Sequence, residues 1–210
     1  MKNVTQLYRS IRRIWLGSTR KTRRMIGAGA VAIGVLLLIV QGLQPMIDPS
    51  AYRSLLDTIA KGESNGNYNA YFGNADNTRI RFTAMTVAEV MAWQADYIRQ
   101  GNASNAVGRY QFMSTTLAGL IRQLRINTQA PFDESLQDRL AIALIERRGS
   151  LAFVQHKITR EQFAANLAME WASLPRILGD DPHQSYYAGD GLNHARVNSN
   201  EVLNAIGKLK

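Results

Sequence analysis

Residues Ile59 to Ala70 read IAKGESNGNYNA and carry one acid, Glu63. The residues before it fall at helical spacing, while the Gly, Asn and Tyr after it do not continue a helix, so Glu63 is expected near a helix C-terminus. The helix macrodipole welcomes carboxylates at the opposite end. A carboxyl set against the dipole and against apolar neighbours holds its proton to higher pH, which is what a general acid requires near neutrality. A solvated helix-end glutamate has the same local sequence, so the rest of the chain decides how far this reading goes.

Other chemistries have little support. The chain contains no cysteine, which excludes disulfides, thiolate catalysis and thiolate-bound zinc. His156, His183 and His194 are scattered, with no HExxH and no histidine pair four residues apart, so no metal is expected. A GxSxG nucleophile turn is absent as well. Lone carboxylate chemistry remains open, and no cofactor is implied.

The elements that must position Glu63 begin with Tyr52, Leu55, Leu56, Ile59 and Ala60, a helical face after the start signal Pro49-Ser50. Between Asn65 and Thr83 the composition turns to Asn, Gly and short polar residues, consistent with an irregular loop or a small β-hairpin, with two strands around Ala75 to Asn77. Thr86 and Glu89 have the spacing of a capping box at the head of a second helix. Further helical patterns cover roughly Ser114 to Leu124, Ser135 to Arg148, Arg160 to Ala172 and Asn200 to Lys208. Residues 51–210 thus read as one mainly helical domain.

The charge is distributed unevenly. Eight of the 25 basic residues lie in residues 1–24, where there is no acid, leaving 17 against 16 acids in the remainder. Met25 to Ile47 then carries no charge at all. Since roughly 20 apolar residues span the hydrocarbon of a bilayer, residues 25–43 are expected to form a single transmembrane signal anchor. Residues 44–50 would be its linker, and a ten-residue segment reaches at most about 35 Å. The positive-inside rule keeps the basic tail cytoplasmic and delivers the domain to the periplasmic or other extracytoplasmic face, or holds it in a virion membrane. Topology and anionic lipid account for the basic tail, so no nucleic-acid partner is expected.

The motifs carry a resemblance. GESNGNYNA followed by AVGRYQFM is similar to the paired signatures of lytic transglycosylases in the lysozyme-like superfamily, an E-S-x-G segment ahead of an A-x-G-[LR]-[MY]-Q segment. ALIERRGSL, EWASLP and YYAGDGLNHARV are similar to segments of the phage lambda-type endolysins, or muramidases. The resemblance covers Tyr52 to Lys210 and implies a mainly α, lysozyme-like α+β fold with a small loop or hairpin insert. It also implies cleavage of the β-1,4 bond between N-acetylmuramic acid and N-acetylglucosamine in peptidoglycan glycan strands. Glu63 would be the single catalytic acid, and the product would be a 1,6-anhydro sugar. Ser64, Gly108, Tyr110, Gln111 and Tyr187 would contact substrate or support the acid, while Trp171 reads as a core anchor.

A conventional glycosidase needs two carboxylates, about 5 to 5.5 Å apart for retention or roughly 6.5 to 9.5 Å for inversion. Asp76 is the best candidate for a second, ahead of Glu89 and Asp96. The Glu, Asp and Thr spacing of another phage lysozyme type is missing, because Phe72 stands nine residues after Glu63. The expectation is therefore a membrane-anchored lytic transglycosylase serving phage entry or host lysis. A hydrolytic muramidase is one alternative, and an inactive peptidoglycan-binding assembly protein of a virion or secretion system is another.

Overall fold

Asp48 caps the start of the described chain, its carboxylate accepting the Ser50 N–H at 2.7 Å ahead of a 3-10 turn over Pro49–Tyr52. The computed structural model describes residues 47–209. The turn runs directly into α1, Arg53–Ser64, whose Leu55, Leu56, Ile59 and Ala60 are buried at the expected spacing. Ile47 already packs on the core, so ordered packing begins inside the segment expected to be linker. The expected tail 1–24, the span 25–43 and linker residues 44–46 lie outside the described residues. No helix among the described residues is long and apolar enough to cross a membrane.

After a 3-10 turn over Phe82–Ala84 come α2, Val87–Arg99; α3, Ser114–Gln123; α4, Glu134–Arg147; α5, Ser150–Val154; α6, Arg160–Ala168; and α7, Ser199–Ile206. Several starts are fixed by side chains that satisfy otherwise orphaned amides. Thr86 and Glu89 form the expected capping box, Thr159 and Gln162 form a second, and Asp133 and Asn198 cap α4 and α7. The short α5 has no counterpart in the sequence pattern, and α6 stops before the expected Ala172. There the chain turns inward, burying Trp171 with its Nε1 donating to the Tyr110 carbonyl at 3.3 Å. Trp171 is the core anchor its type suggested.

α1 packs against α4 and α7, α6 against α5 and α7, and α2 against α3. Leu140 and Leu144 of α4, Phe163 and Leu167 of α6, and Val202 and Ile206 of α7 join the α1 face in one core. This is a mainly helical fold, and the α+β expectation is corrected: no strand occurs among the described residues. Isolated bridges join Tyr71 to Asn74 and Val107, and Val107 to Phe112.

The hairpin around Ala75 to Asn77 does not form because asparagine amides take the backbone groups that strands would pair. Asn67 Nδ2 donates to the carbonyls of Ala75 at 2.8 Å and Asn77 at 2.9 Å. Asn77 is buried, with Nδ2 on the Asn69 and Ile80 carbonyls and Oδ1 accepting from the Arg79 and Ile80 amides. Asn69 Oδ1 in turn accepts the Thr83 amide at 2.9 Å. Thus the Asn-rich composition encodes an irregular loop held by side-chain to backbone bonds.

Two buried glutamines hold the segment 105–112 between this loop and the helices. Gln94 Nε2 of α2 donates at 2.8 Å to the carbonyls of both Asn105 and Phe112. Gln137 of α4 accepts the Arg109 amide at 2.9 Å and donates to the carbonyls of Tyr68 and Phe132 at 3.1 Å. At the other end of the site Gly62 is crossed closely: a Cβ there would stand 2.5 Å from Ser173 Oγ and 2.8 Å from Val197 Cγ2.

Two stability outcomes are expected. Gln137→Leu, which keeps volume but strands three backbone groups, should cost more than about 2 kcal/mol in chemical denaturation, since each buried unpaired group costs about 1–3. Gly62→Ala should destabilise by about 1–3 kcal/mol through overpacking, reversing the gain of about 1 kcal/mol that the same change brings in an open helix. Unchanged denaturation midpoints would contradict both accounts.

Candidate active site

α1 ends at Asn65 in the left-handed conformation, φ 53°, followed by Gly66 at φ 83°, whose amide reaches back to the Ala60 carbonyl at 3.1 Å. Glu63 therefore occupies the last turn, as its sequence position indicated. The residue keeps some surface while protein atoms crowd its carboxyl. Burial pushes its pKa above the ordinary carboxylate value; the Ser173 hydroxyl, the Ser173 amide and the Arg196 charge oppose that rise without cancelling it. The direction is the one a general acid needs. Ser173 N–H donates to Glu63 Oε1 at 3.1 Å, and Oε2 has no hydrogen bond among the described residues.

The residues expected around Glu63 divide into those that hold it and those that retain surface. Ser64 is buried, and its hydroxyl donates to the Arg109 carbonyl at 2.7 Å. It therefore ties α1 to segment 105–112. Gly108 is buried at φ 79°, and a Cβ there would stand 2.3 Å from Gln137 Oε1, so its bare backbone admits a glutamine amide. Tyr110 lies in the core, 1% exposed, with its hydroxyl donating to Asp138 Oδ1 at 2.6 Å. Gln111 is half-buried at φ 49°, and its Nε2 donates to the Gly108 carbonyl at 2.9 Å.

Tyr187 is 41% exposed, and its hydroxyl donates to the Met169 carbonyl at 2.8 Å, with no hydrogen bond to Glu63. Asp76 is exposed, and Asn65 Nδ2 approaches its Oδ1 at 3.4 Å, the long limit of a hydrogen bond. The nearby acid Glu170 is engaged, accepting from Arg147 at 3.1 Å and Arg148 at 2.8 Å.

Behind Ser64 lies a polar network. Arg109 donates to Asp57 of α1 at 2.6 Å, to Tyr110 Oη at 2.9 Å and to Tyr68 Oη at 3.1 Å. Its guanidinium lies 4.9 Å from the Tyr68 ring centre, and Tyr68 donates to Asp138 at 2.9 Å. Burial, then the bond to Asp138, pushes the Tyr68 hydroxyl up to about 12, so it stays protonated and able to donate. The network joins α1, the Asn-rich loop, segment 105–112 and α4.

Sequence reasoning missed Ser173 and Arg196. Both lie in motifs that carried the resemblance, EWASLP and HARV, but neither residue type marks itself as a partner of a distant carboxylate. Arg196 N–H donates to the Ser173 carbonyl at 2.8 Å, bringing the two segments together beside Glu63.

Comparison with known proteins places the chain in a family. No curated protein sequence matches the chain. Among solved structures it is similar to bacteriophage lambda lysozyme complexed with a chitohexasaccharide, at 20% identity and a TM-score of 0.48, over 79% of this chain and 96% of that one. The family model described as Endolysin matches residues 53–195, which contain α1 with Glu63, the Asn-rich loop, segment 105–112 and Ser173. The chain belongs to the endolysin family of peptidoglycan-degrading enzymes.

Proposed function

We propose that the chain is a membrane-anchored lytic transglycosylase that cleaves the β-1,4 bond between N-acetylmuramic acid and N-acetylglucosamine, with Glu63 as its single catalytic acid. The observation that carries this reading is the crowded Glu63 carboxyl, shifted toward its protonated form at the end of α1, with a donor on Oε1 and none on Oε2. In the proposed reaction Glu63 protonates the glycosidic oxygen as the bond to the muramic acid anomeric carbon breaks. The resulting carboxylate takes the proton of that sugar's own 6-hydroxyl, whose oxygen closes on the anomeric carbon. A 1,6-anhydro ring forms, a free hydroxyl appears on the departing sugar, and the acid regains its proton with no water consumed.

The exposed setting of Asp76 suits this reading better than a hydrolytic one, in which a second carboxylate must be held at a set distance from the acid. Gln111 and Tyr187 keep surface through which a glycan strand would be gripped. The charge-free segment after the basic tail supports a signal anchor that holds the domain at the extracytoplasmic or virion membrane face, restricting cleavage to nearby wall. Phage entry or host lysis is the corresponding role.

Digestion of purified peptidoglycan by the full-length protein should give muropeptides ending in 1,6-anhydro sugar, one water lighter than reducing ends in mass spectrometry. Glu63→Gln should abolish them and Asp76→Asn should lower the rate less than about threefold, because only the first removes the transferred proton. Reducing ends, lost on Asp76→Asn, would establish a hydrolase instead. The raised Glu63 pKa also has a sign in stability. The folded state binds this proton more tightly than the unfolded chain, so stability is lost as pH rises from the ordinary value near 4.5 through the raised one. Glu63→Gln should therefore raise Tm at neutral pH, with the gain vanishing below about pH 4; an equal Tm at neutral pH would count against the burial cost.

A further inference from the structure

Ser173 is 4% exposed, and its hydroxyl has no hydrogen-bond partner among the described residues. Water does not reach it, and a buried hydroxyl left unpaired costs about 1–3 kcal/mol relative to one that is satisfied. Its surroundings explain why nothing local serves it. It is pressed against the backbone of Gly62, where a Cβ would come within 2.5 Å, and the Ser173 carbonyl is already taken by the amides of Arg196 at 2.8 Å and Val197 at 3.3 Å. The group it stands beside is Glu63: the Ser173 amide holds Oε1, and the hydroxyl lies close enough to favour the ionised carboxylate without meeting hydrogen-bond geometry.

A neutral carboxyl asks little of a second donor, whereas a carboxylate accepts several at once and binds each more strongly. An interaction that tightens only as charge develops accelerates the step that develops it. We propose that the Ser173 hydroxyl is a positioning group held in reserve for the ionised form of Glu63, turning to donate to the carboxylate as the proton leaves for the glycosidic oxygen. The proposal rests on the reading of Glu63 as the acid. Arg196 is the one charged group among the described residues found to act on Glu63, and its charge also favours ionisation, so the serine and the arginine support the same state from two segments.

The test is Ser173→Ala in the full-length protein, with Glu63→Gln and wild type alongside, reading kcat, KM, Tm and the pH profile on purified peptidoglycan. The alanine removes one buried, unpaired atom, so Tm should hold or rise while kcat falls about tenfold with KM nearly unchanged, the loss expected for one donor to a developing charge. Without the hydroxyl the Glu63 carboxyl ionises less readily, so the alkaline limb of kcat/KM should move up by as much as about one pH unit, the same free energy as a decade of rate. A slower enzyme that remains active to higher pH is the combined signature. A fall in activity with an unmoved limb, an unchanged kcat, or a Tm that falls with the activity would each overturn the proposal. Activity persisting in Glu63→Gln would remove the underlying reading of Glu63 and the proposal with it; loss in Glu63→Gln with a wild-type profile in Ser173→Ala would remove the proposal alone.

Discussion

One turn of α1 has no side chain on the face where another segment must cross. Gly62 leaves bare backbone there, and Ser173 and Val197 press against it at distances a Cβ would not tolerate. Because the crossing is so close, the Ser173 amide lands within 3.1 Å of the carboxylate on the next residue. A carboxyl in that setting is simultaneously desolvated and oriented, two effects that act on its pKa in opposite directions, and burial prevails. Ser64 and Arg109 fix the end of α1 from its other side.

The support is polar and irregular. No sheet backs the site among the described residues, yet its loop and the segment 105–112 are bonded almost group for group. Asn67, Asn69 and Asn77 serve the loop, while Gln94 and Gln137 reach out of helices to serve the segment. Asn67, Asn77 and Gln137 each donate and accept at once, and Gln94 serves two carbonyls through its Nε2, which lets the backbone follow a path no ladder would allow. The arrangement is fully committed, since a lost amide strands several buried groups together.

Arg109 shows how charge enters the same framework. Its carbonyl accepts from Ser64, its amide donates to Gln137 Oε1 and its guanidinium donates to Asp57 of α1, so one residue ties segment 105–112 to both α1 and α4. The resemblance suggested sugar-contacting roles for Ser64 and Gly108 within this group. Both are buried among the groups that hold α1 and α4 to segment 105–112, while Gln111 and Tyr187 keep surface.

The sequence by itself determined most of the helices, though not α5, and the capped start of α2, because a 3.6-residue period and a Thr-x-x-Glu cap are local physics that need only neighbouring residues. It also determined that Glu63 ends α1, since Asn65 and Gly66 adopt left-handed backbone at little cost. The loop was legible in composition but not in form, because asparagines that favour turns do not announce which carbonyl each will reach. Ser173, Arg196 and the partners of Gly108 were decided only by tertiary structure. Their meaning lies in contacts between residues far apart in the chain, as from Glu63 to Ser173, 110 positions on. A glycine whose vacancy is filled by a distant glutamine reads, in one dimension, the same as a glycine that makes room for a substrate.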